Sequence, residues 1–149
     1  MKSLRVGGFN ELSTIDADSL AFVIYFQGCS RHCKGCHNPE FLPFDKGIDM
    51  TIDKILAKIS KNYTWYKAVV FQGGEPLEQP LFELITLANS IKSLFGLDVW
   101  LYTGYDYEEV PAVVKEHFDV IKAGAYIEEL KTDGFLASSN QKIYRRKDR

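Results

Sequence analysis

The sequence has few cysteines, little net charge and no long apolar run. Only three of its 149 residues are cysteine, and 18 basic against 20 acidic side chains leave a formal charge of −2. No global basic field is present to draw nucleic acid. No apolar run approaches the ~20 residues of a membrane span, and residues 1–8 lack the apolar stretch of a secretory signal. Neither nucleic acid nor a membrane is therefore expected as a partner. Three cysteines cannot all be paired in disulfides. Free thiols without a leader indicate a reducing compartment, so a cytoplasmic location is expected. What is present is ordinary for a globular chain: 46% hydrophobic and 26% charged residues, in a length that suits a single domain, 1–149, with a sizeable core.

All three cysteines fall in one stretch, as Cys29-x3-Cys33-x2-Cys36, directly after the apolar run Ala21–Phe26. Thiolates are soft ligands that suit iron–sulfur clusters, zinc or copper. Three in one short loop can converge on one centre without help from distant parts of the chain. A cubane cluster would be closed by four cysteines; with three, one iron stays open, and an open metal position separates a reactive site from a structural one. A zinc site of Cys3His type, recruiting His32 or His37, is the competing reading, and buried structural cysteines are a third.

In chain order, residues 4–9 read as a weak strand and 10–19 as a polar loop. Ala21–Phe26 has the continuous apolar character of a strand buried on both faces. Pro39, Pro43 and Gly47 keep the next stretch irregular. Thr51 caps a helix whose stripe is Ile52, Ile55, Leu56 and Ile59, with Asn62 as its stop. A strand at 67–71 runs into Gly73-Gly74-Glu75-Pro76. A long helix from Leu77 to Phe95 ends at Gly96, a natural C′ residue. Asp98–Thr103 is a strand, followed by a capped turn at Asp106 and a short helix at 111–116. Residues 118–121 form a further strand, 126–130 a helical turn and 141–145 a last short strand. The basic residues 145–149 read as a solvated tail.

Strands alternating with helices imply parallel strands joined by right-handed crossovers. The chain is too short for eight units. The expected fold class is therefore α/β, an open or partial β/α barrel of parallel strands or a small doubly wound sheet. Ligands in either lie beyond the C-terminal strand ends. The cysteine loop, Gly73-Gly74-Glu75 and Thr103-Gly104-Tyr105 all fall there. By itself, Gly73-Gly74-Glu75-Pro76 reads rather as a strand-to-helix turn, with Pro76 and Glu75 favoured at a helix start. Beside an open metal site, it reads as backbone able to approach a ligand closely.

Together these residues resemble the radical S-adenosylmethionine superfamily and, within it, the proteins that activate anaerobic ribonucleoside-triphosphate reductase. The likeness is carried by residues 28–38, 71–77, 100–105, 119–126 and 139–144, nearly the whole chain. Gly35 stands where many of the superfamily have an aromatic residue before the third cysteine. The pyruvate formate-lyase activases are the next likeness.

The resemblance implies an oxidoreductase in which Cys29, Cys33 and Cys36 hold a [4Fe–4S] cluster as the catalytic centre. The open iron would bind the amino and carboxylate groups of S-adenosylmethionine. Reductive cleavage of the sulfonium would yield a 5′-deoxyadenosyl radical that takes hydrogen from a glycine of the reductase large subunit. A small donor protein such as flavodoxin would supply the electron. Gly73, Gly74 and the Glu75 carboxylate would meet the ammonium end. Gly35, Cys36 and His37 would line the cluster side with Asn38 close by, and Thr103 and Lys122 would reach ribose or carboxylate. His32 and His37 would tune the cluster by hydrogen bonding. Asp119 would support the site from behind, and Lys122 could instead pair with Asp119 or Glu128. Trp100 and Tyr102 are expected in the core, His117 at the surface, and Phe41, Phe44 and Tyr105 as contacts for the partner.

Overall fold

A computed structural model describes residues 3–31, 33, 35–36, 38–133 and 136–146. Among these residues seven strands and three helices follow one another as β1 (Ser3–Ser13), β2 (Ala21–Phe26), β3 (Ile48–Thr51), α1 (Ile52–Ser60), β4 (Ala68–Gly73), α2 (Leu81–Phe95), β5 (Asp98–Thr103), α3 (Ala112–Lys115), β6 (Val120–Ala123) and β7 (Lys142–Arg145). They build one open sheet in the order β3-β1-β2-β4-β5-β6-β7.

The expectation of a wholly parallel sheet is corrected. β2, β4, β5 and β6 are parallel, but β1 and β3 extend one edge in antiparallel fashion and β7 extends the other. The four parallel strands lie side by side in chain order. Right-handed crossovers between such neighbours put every connecting helix on the same face. A doubly wound sheet would reverse its order, so that alternative is excluded.

The side-chain alternation of the strands shows the two faces. Phe22, Ile24, Val69, Phe71, Val99 and Leu101 pack with Ile55 and Ile59 of α1 and with Leu84, Leu87 and Ile91 of α2. Ala21, Val23, Ala68, Val70 and Trp100 form a second cluster on the other face. Among the described residues no helix covers that face; the loop between β1 and β2 does, inserting Ala17. Asp16 anchors this loop, taking a hydrogen bond from Gln72 Nε2 at 3.0 Å on its side chain and one from the Tyr102 hydroxyl on its backbone carbonyl.

Local signals explain most boundaries. Thr51 Oγ1 accepts from Lys54 N at 3.3 Å and starts α1. Gly96 takes the left-handed φ of 67° that ends α2. That helix begins at Leu81 rather than Leu77, because Pro80 precedes it and Leu77 belongs to a separate 3-10 turn, Pro76–Glu78. Asp106 and Glu109 form the capping box around the turn Tyr107–Glu109, and Glu128–Leu130 is the expected turn.

β1 continues through the segment read as loop as far as Ser13, with register shifts that let polar residues remain at a bulged edge. β3 was concealed by its shortness and its exposed Ile48. β6 starts at Val120; Phe118 instead packs its ring 5.3 Å from Phe71 in the core. The start of the basic tail is not free in solvent. Arg145 pairs with Asp18 at 2.7 Å, and Arg146 reaches Asp119 and the Phe118 carbonyl; residues 147–149 lie outside the described residues. Among the described residues no helix is long and apolar enough to cross a membrane.

Candidate functional site: a thiolate-lined cavity at the strand ends

The cysteine loop leaves β2 and returns to its own start. Gly28 N donates to Phe41 O at 2.7 Å and Cys29 N to Leu42 O at 3.0 Å, closing the neck of the loop. Gln27, 2% exposed, fixes that neck from below: its Nε2 donates to the carbonyls of Glu40 and Pro43. Gln79 Nε2 in turn donates to the Gln27 carbonyl at 2.9 Å. Sequence reading gave neither glutamine a role.

Beneath the loop lies a cavity of about 170 Å³ at the C-terminal ends of the parallel strands. Cys29, Cys33 and Cys36 contribute to its wall, as do Gly73, Gly74, Glu75, Thr103, Lys122 and Asn38. Three loops and two strand ends thus bring most of the sequence-predicted residues to one place. Gly35 stays close to them but is packed under another group. Its φ is 72°, and the space a side chain would take is filled by the Glu128 carboxylate. The expectations for His37 and His32 lie outside the described residues.

The thiols are all free, with Cys29 buried and the other two half-buried. Burial pushes the Cys29 thiol up, opposed by the Arg31 N–H at 3.5 Å from its sulfur. Metal coordination deprotonates such a thiol outright. Among the described residues no three His, Cys, Asp or Glu groups close on one point as a single ion needs. A cubane takes one thiolate per iron, so its ligands stand further apart than those of one ion. Three soft donors on one cavity wall therefore fit a cluster.

Glu75 borders the cavity as expected and is also tied to its neighbours. It is 1% exposed, and its carboxylate accepts from Thr103 Oγ1 at 2.7 Å, Gly104 N at 2.7 Å and Leu77 N at 3.1 Å. Burial raises its pKa, and these three donors oppose the rise. A carboxylate so engaged is a clasp between the β4 and β5 loops, and Oε1, which takes only the Gly104 N–H, keeps capacity to accept a further donor from the cavity. Thr103 is engaged equally: besides donating to Glu75, its hydroxyl accepts from Tyr105 N at 3.1 Å. Its one hydroxyl proton is committed to this clasp, while the residue still borders the cavity.

The two glycines are required by the chain's own packing. A Cβ on Gly74 would lie 2.5 Å from the carbonyl oxygens of both Gly28 and Phe41, and one on Gly73 would strike the backbone of Phe26. Gly74 N donates to Phe26 O and Glu75 N to Gly28 O, so the turn is bonded to the root of the cysteine loop.

Lys122, 8% exposed, holds its ammonium 3.9 Å from the centre of the Tyr102 ring. Burial lowers its pKa to about 8, with Asp16 pulling the other way. Its expected pairing with Asp119 or Glu128 is not the arrangement found. Asp119 stands at the opposite end of the strands, bound to Lys92 at 2.8 Å and to Val99 N. Asp119 therefore supports the sheet and not the site. Trp100 is core as expected, whereas Tyr102 also borders the cavity. His117 meets Asn89 away from the site.

Arg31 is the chief residue that sequence reading passed over. It borders the cavity, and its guanidinium lies 4.2 Å from the centre of the Tyr105 ring. Gln141, 7% exposed, closes the far side by donating to the Gly124 carbonyl at 3.0 Å and accepting from Ala137 N at 2.9 Å.

A mixed sheet with helices on one face, and a cavity that gathers three thiolates at its strand ends, define a cluster-binding protein. The chain belongs to the 4Fe-4S single cluster domain family, which matches residues 18–144. It is 24% identical to the anaerobic ribonucleoside-triphosphate reductase-activating protein of Salmonella typhimurium, over 95% of this chain and 98% of that one. It is 29% identical to the pyruvate formate-lyase-activating enzyme of Clostridium pasteurianum, over 88% of this chain and 55% of that one. The crystal structure of QueE from Escherichia coli shares the fold with a TM-score of 0.50 at 17% identity, covering 68% of this chain and 52% of that one. The resemblance read from the motifs is borne out by these relatives, and the family favours an iron–sulfur cluster over zinc.

Proposed function

We propose that this chain activates anaerobic ribonucleoside-triphosphate reductase by placing a glycyl radical on its large subunit. The observation that carries this reading is the meeting of all three cysteines with the Gly73–Glu75 turn in one cavity. The near-complete coverage of the reductase-activating relative supports the reductase over pyruvate formate-lyase as partner. The sheet is read as a partial β/α barrel, supported by consecutive parallel strands with helices on one face.

Cys29, Cys33 and Cys36 would hold a [4Fe–4S] cluster, with S-adenosylmethionine beside it. When bound, cluster and cofactor supply the one-electron cleavage that ends as a radical on the partner's glycine. The chain's own part is orientation and the exclusion of water. The N–H groups of Gly74 and Glu75 are spent on the carbonyls of Phe26, at the end of β2, and Gly28, so the turn offers acceptors rather than donors. That polarity suits an ammonium group. Asn38 and Lys122 border the same space, and Gly35 and His37 flank Cys36 in sequence. Glu75 and Thr103 hold the turn in place. Phe44, 52% exposed, and Tyr105 stand near the loop as contacts for the partner. A small protein such as flavodoxin delivers the electron, and neither nucleic acid nor membrane takes part.

The test is electron paramagnetic resonance on the reduced, cluster-loaded protein mixed with S-adenosylmethionine and the reductase large subunit. A glycyl radical doublet should appear only with every component present. A doublet on a pyruvate formate-lyase-type protein and none on the reductase would transfer the assignment to the other activase class. No cleavage of the cofactor with either would overturn the reading.

A further inference from the structure

Arg31 combines three features that point to a ligand. Its Nε is shut off from solvent and has no hydrogen-bond partner among the described residues. A buried donor left unpaired costs free energy, and native structures rarely leave one so. No carboxylate among the described residues stands within ion-pair distance of it: the Glu75 charge acts on it through space, but the Glu75 oxygens are bonded to Thr103, Gly104 and Leu77.

The side chain is also held in place. The face of Tyr105 supports the guanidinium at 4.2 Å. Residue 104 must be small for the chain to pass, since a Cβ there would lie 2.8 Å from Arg31 Cδ. An arginine fixed beside Cys29 and bordering the cavity presents a planar fork shaped for a carboxylate.

We propose that Arg31 is the carboxylate-binding residue for S-adenosylmethionine in this cavity. This inference rests on the cofactor assignment above. The chemistry of that molecule narrows the choice: its sulfonium and ammonium groups are cationic and would be repelled, and its one anionic group is the carboxylate. Lys122, the other cation lining the cavity among the described residues, faces the Tyr102 ring and the Asp16 charge. Arg31 therefore selects the cofactor's methionyl end and sets which way round it lies against the Gly73–Gly74 turn.

The test is calorimetric binding to the cluster-loaded protein of S-adenosylmethionine and of its decarboxylated analogue, in wild type, Arg31→Gln and Arg31→Lys. The preference of wild type for the carboxylate-bearing ligand should fall about ten- to a hundredfold in Arg31→Gln, with an intermediate loss in Arg31→Lys, which keeps charge but not the fork. Comparing preferences cancels any contact the carboxylate makes elsewhere. Cluster absorbance and the thermal midpoint verify that the variants are folded and loaded. Equal losses for both ligands, or an unchanged preference, would overturn the inference while leaving the cofactor assignment intact. Wild type binding neither ligand would overturn that assignment, and this inference with it.

Discussion

Thr103 donates its hydroxyl proton to Glu75 across 2.7 Å, joining the ends of two neighbouring parallel strands. With the Gly104 N–H on the other carboxylate oxygen, the pair makes a buried clasp. A buried donor stripped of its acceptor costs about 1–3 kcal/mol. Glu75→Gln must turn an NH2 group toward Gly104 or Leu77. It should lower stability by about that amount, measured by urea denaturation, and Thr103→Val should cost about 1 kcal/mol. Unchanged stability in both variants would show that the clasp is not structural.

The second prediction separates the two uses of glycine. Gly74→Ala puts a methyl group 2.5 Å from two carbonyl oxygens of the cysteine loop. The loop must move, so iron and sulfide content should drop together with stability, by about 1–3 kcal/mol. Gly8→Ala meets only Phe41, at 4.0 Å, and should load iron normally. Full loading of Gly74→Ala would refute the packing role.

Lys122 gives the pH dependence. Burial lowers its pKa from the ordinary 10.5 to about 8. Between these values the unfolded chain holds the proton and the folded chain does not, so stability rises with pH across that window. Lys122→Met abolishes this contribution. The variant should exceed wild type at neutral pH by up to about 3 kcal/mol and lose that advantage as pH approaches 10.5. Denaturation midpoints of the two proteins at several pH values provide the measurement; a constant difference would mean that the ammonium is not desolvated.

Cys33→Ala should abolish cluster assembly and leave the far-ultraviolet circular dichroism unchanged, because the cysteine loop lies outside the sheet–helix core. Anaerobic reconstitution followed by iron and sulfide analysis is the check. Full iron occupancy would contradict the three-thiolate site.

The parallel core was legible because buried strands read as unbroken apolar runs; Ala21–Phe26 and Asp98–Thr103 have the bounds expected. Edge strand β7 was legible within a residue, whereas β3 and the second half of β1 were not, since they mix polar and exposed residues that resemble loop. The thiolates were legible because one loop carries them all. Glu75 was legible as a cavity residue but its clasp was not: its partners Thr103 and Gly104 stand 28 and 29 residues further on, beyond any local pattern. Arg31 stood in plain view between two cysteines, but its meaning depends on Tyr105 and Gly104, which only the sheet brings to it.

The closed neck of the cysteine loop has a consequence for the life of the molecule in air. Because Gly28–Phe41 and Cys29–Leu42 fasten the loop to itself, the metal-bearing segment hangs from the sheet as a unit. Oxygen that strips the cluster should raise amide exchange within that unit and leave β2 and β4 protected. Damage of this kind should stay local, so that reloading with iron and sulfide should restore the exchange pattern without a refolding step.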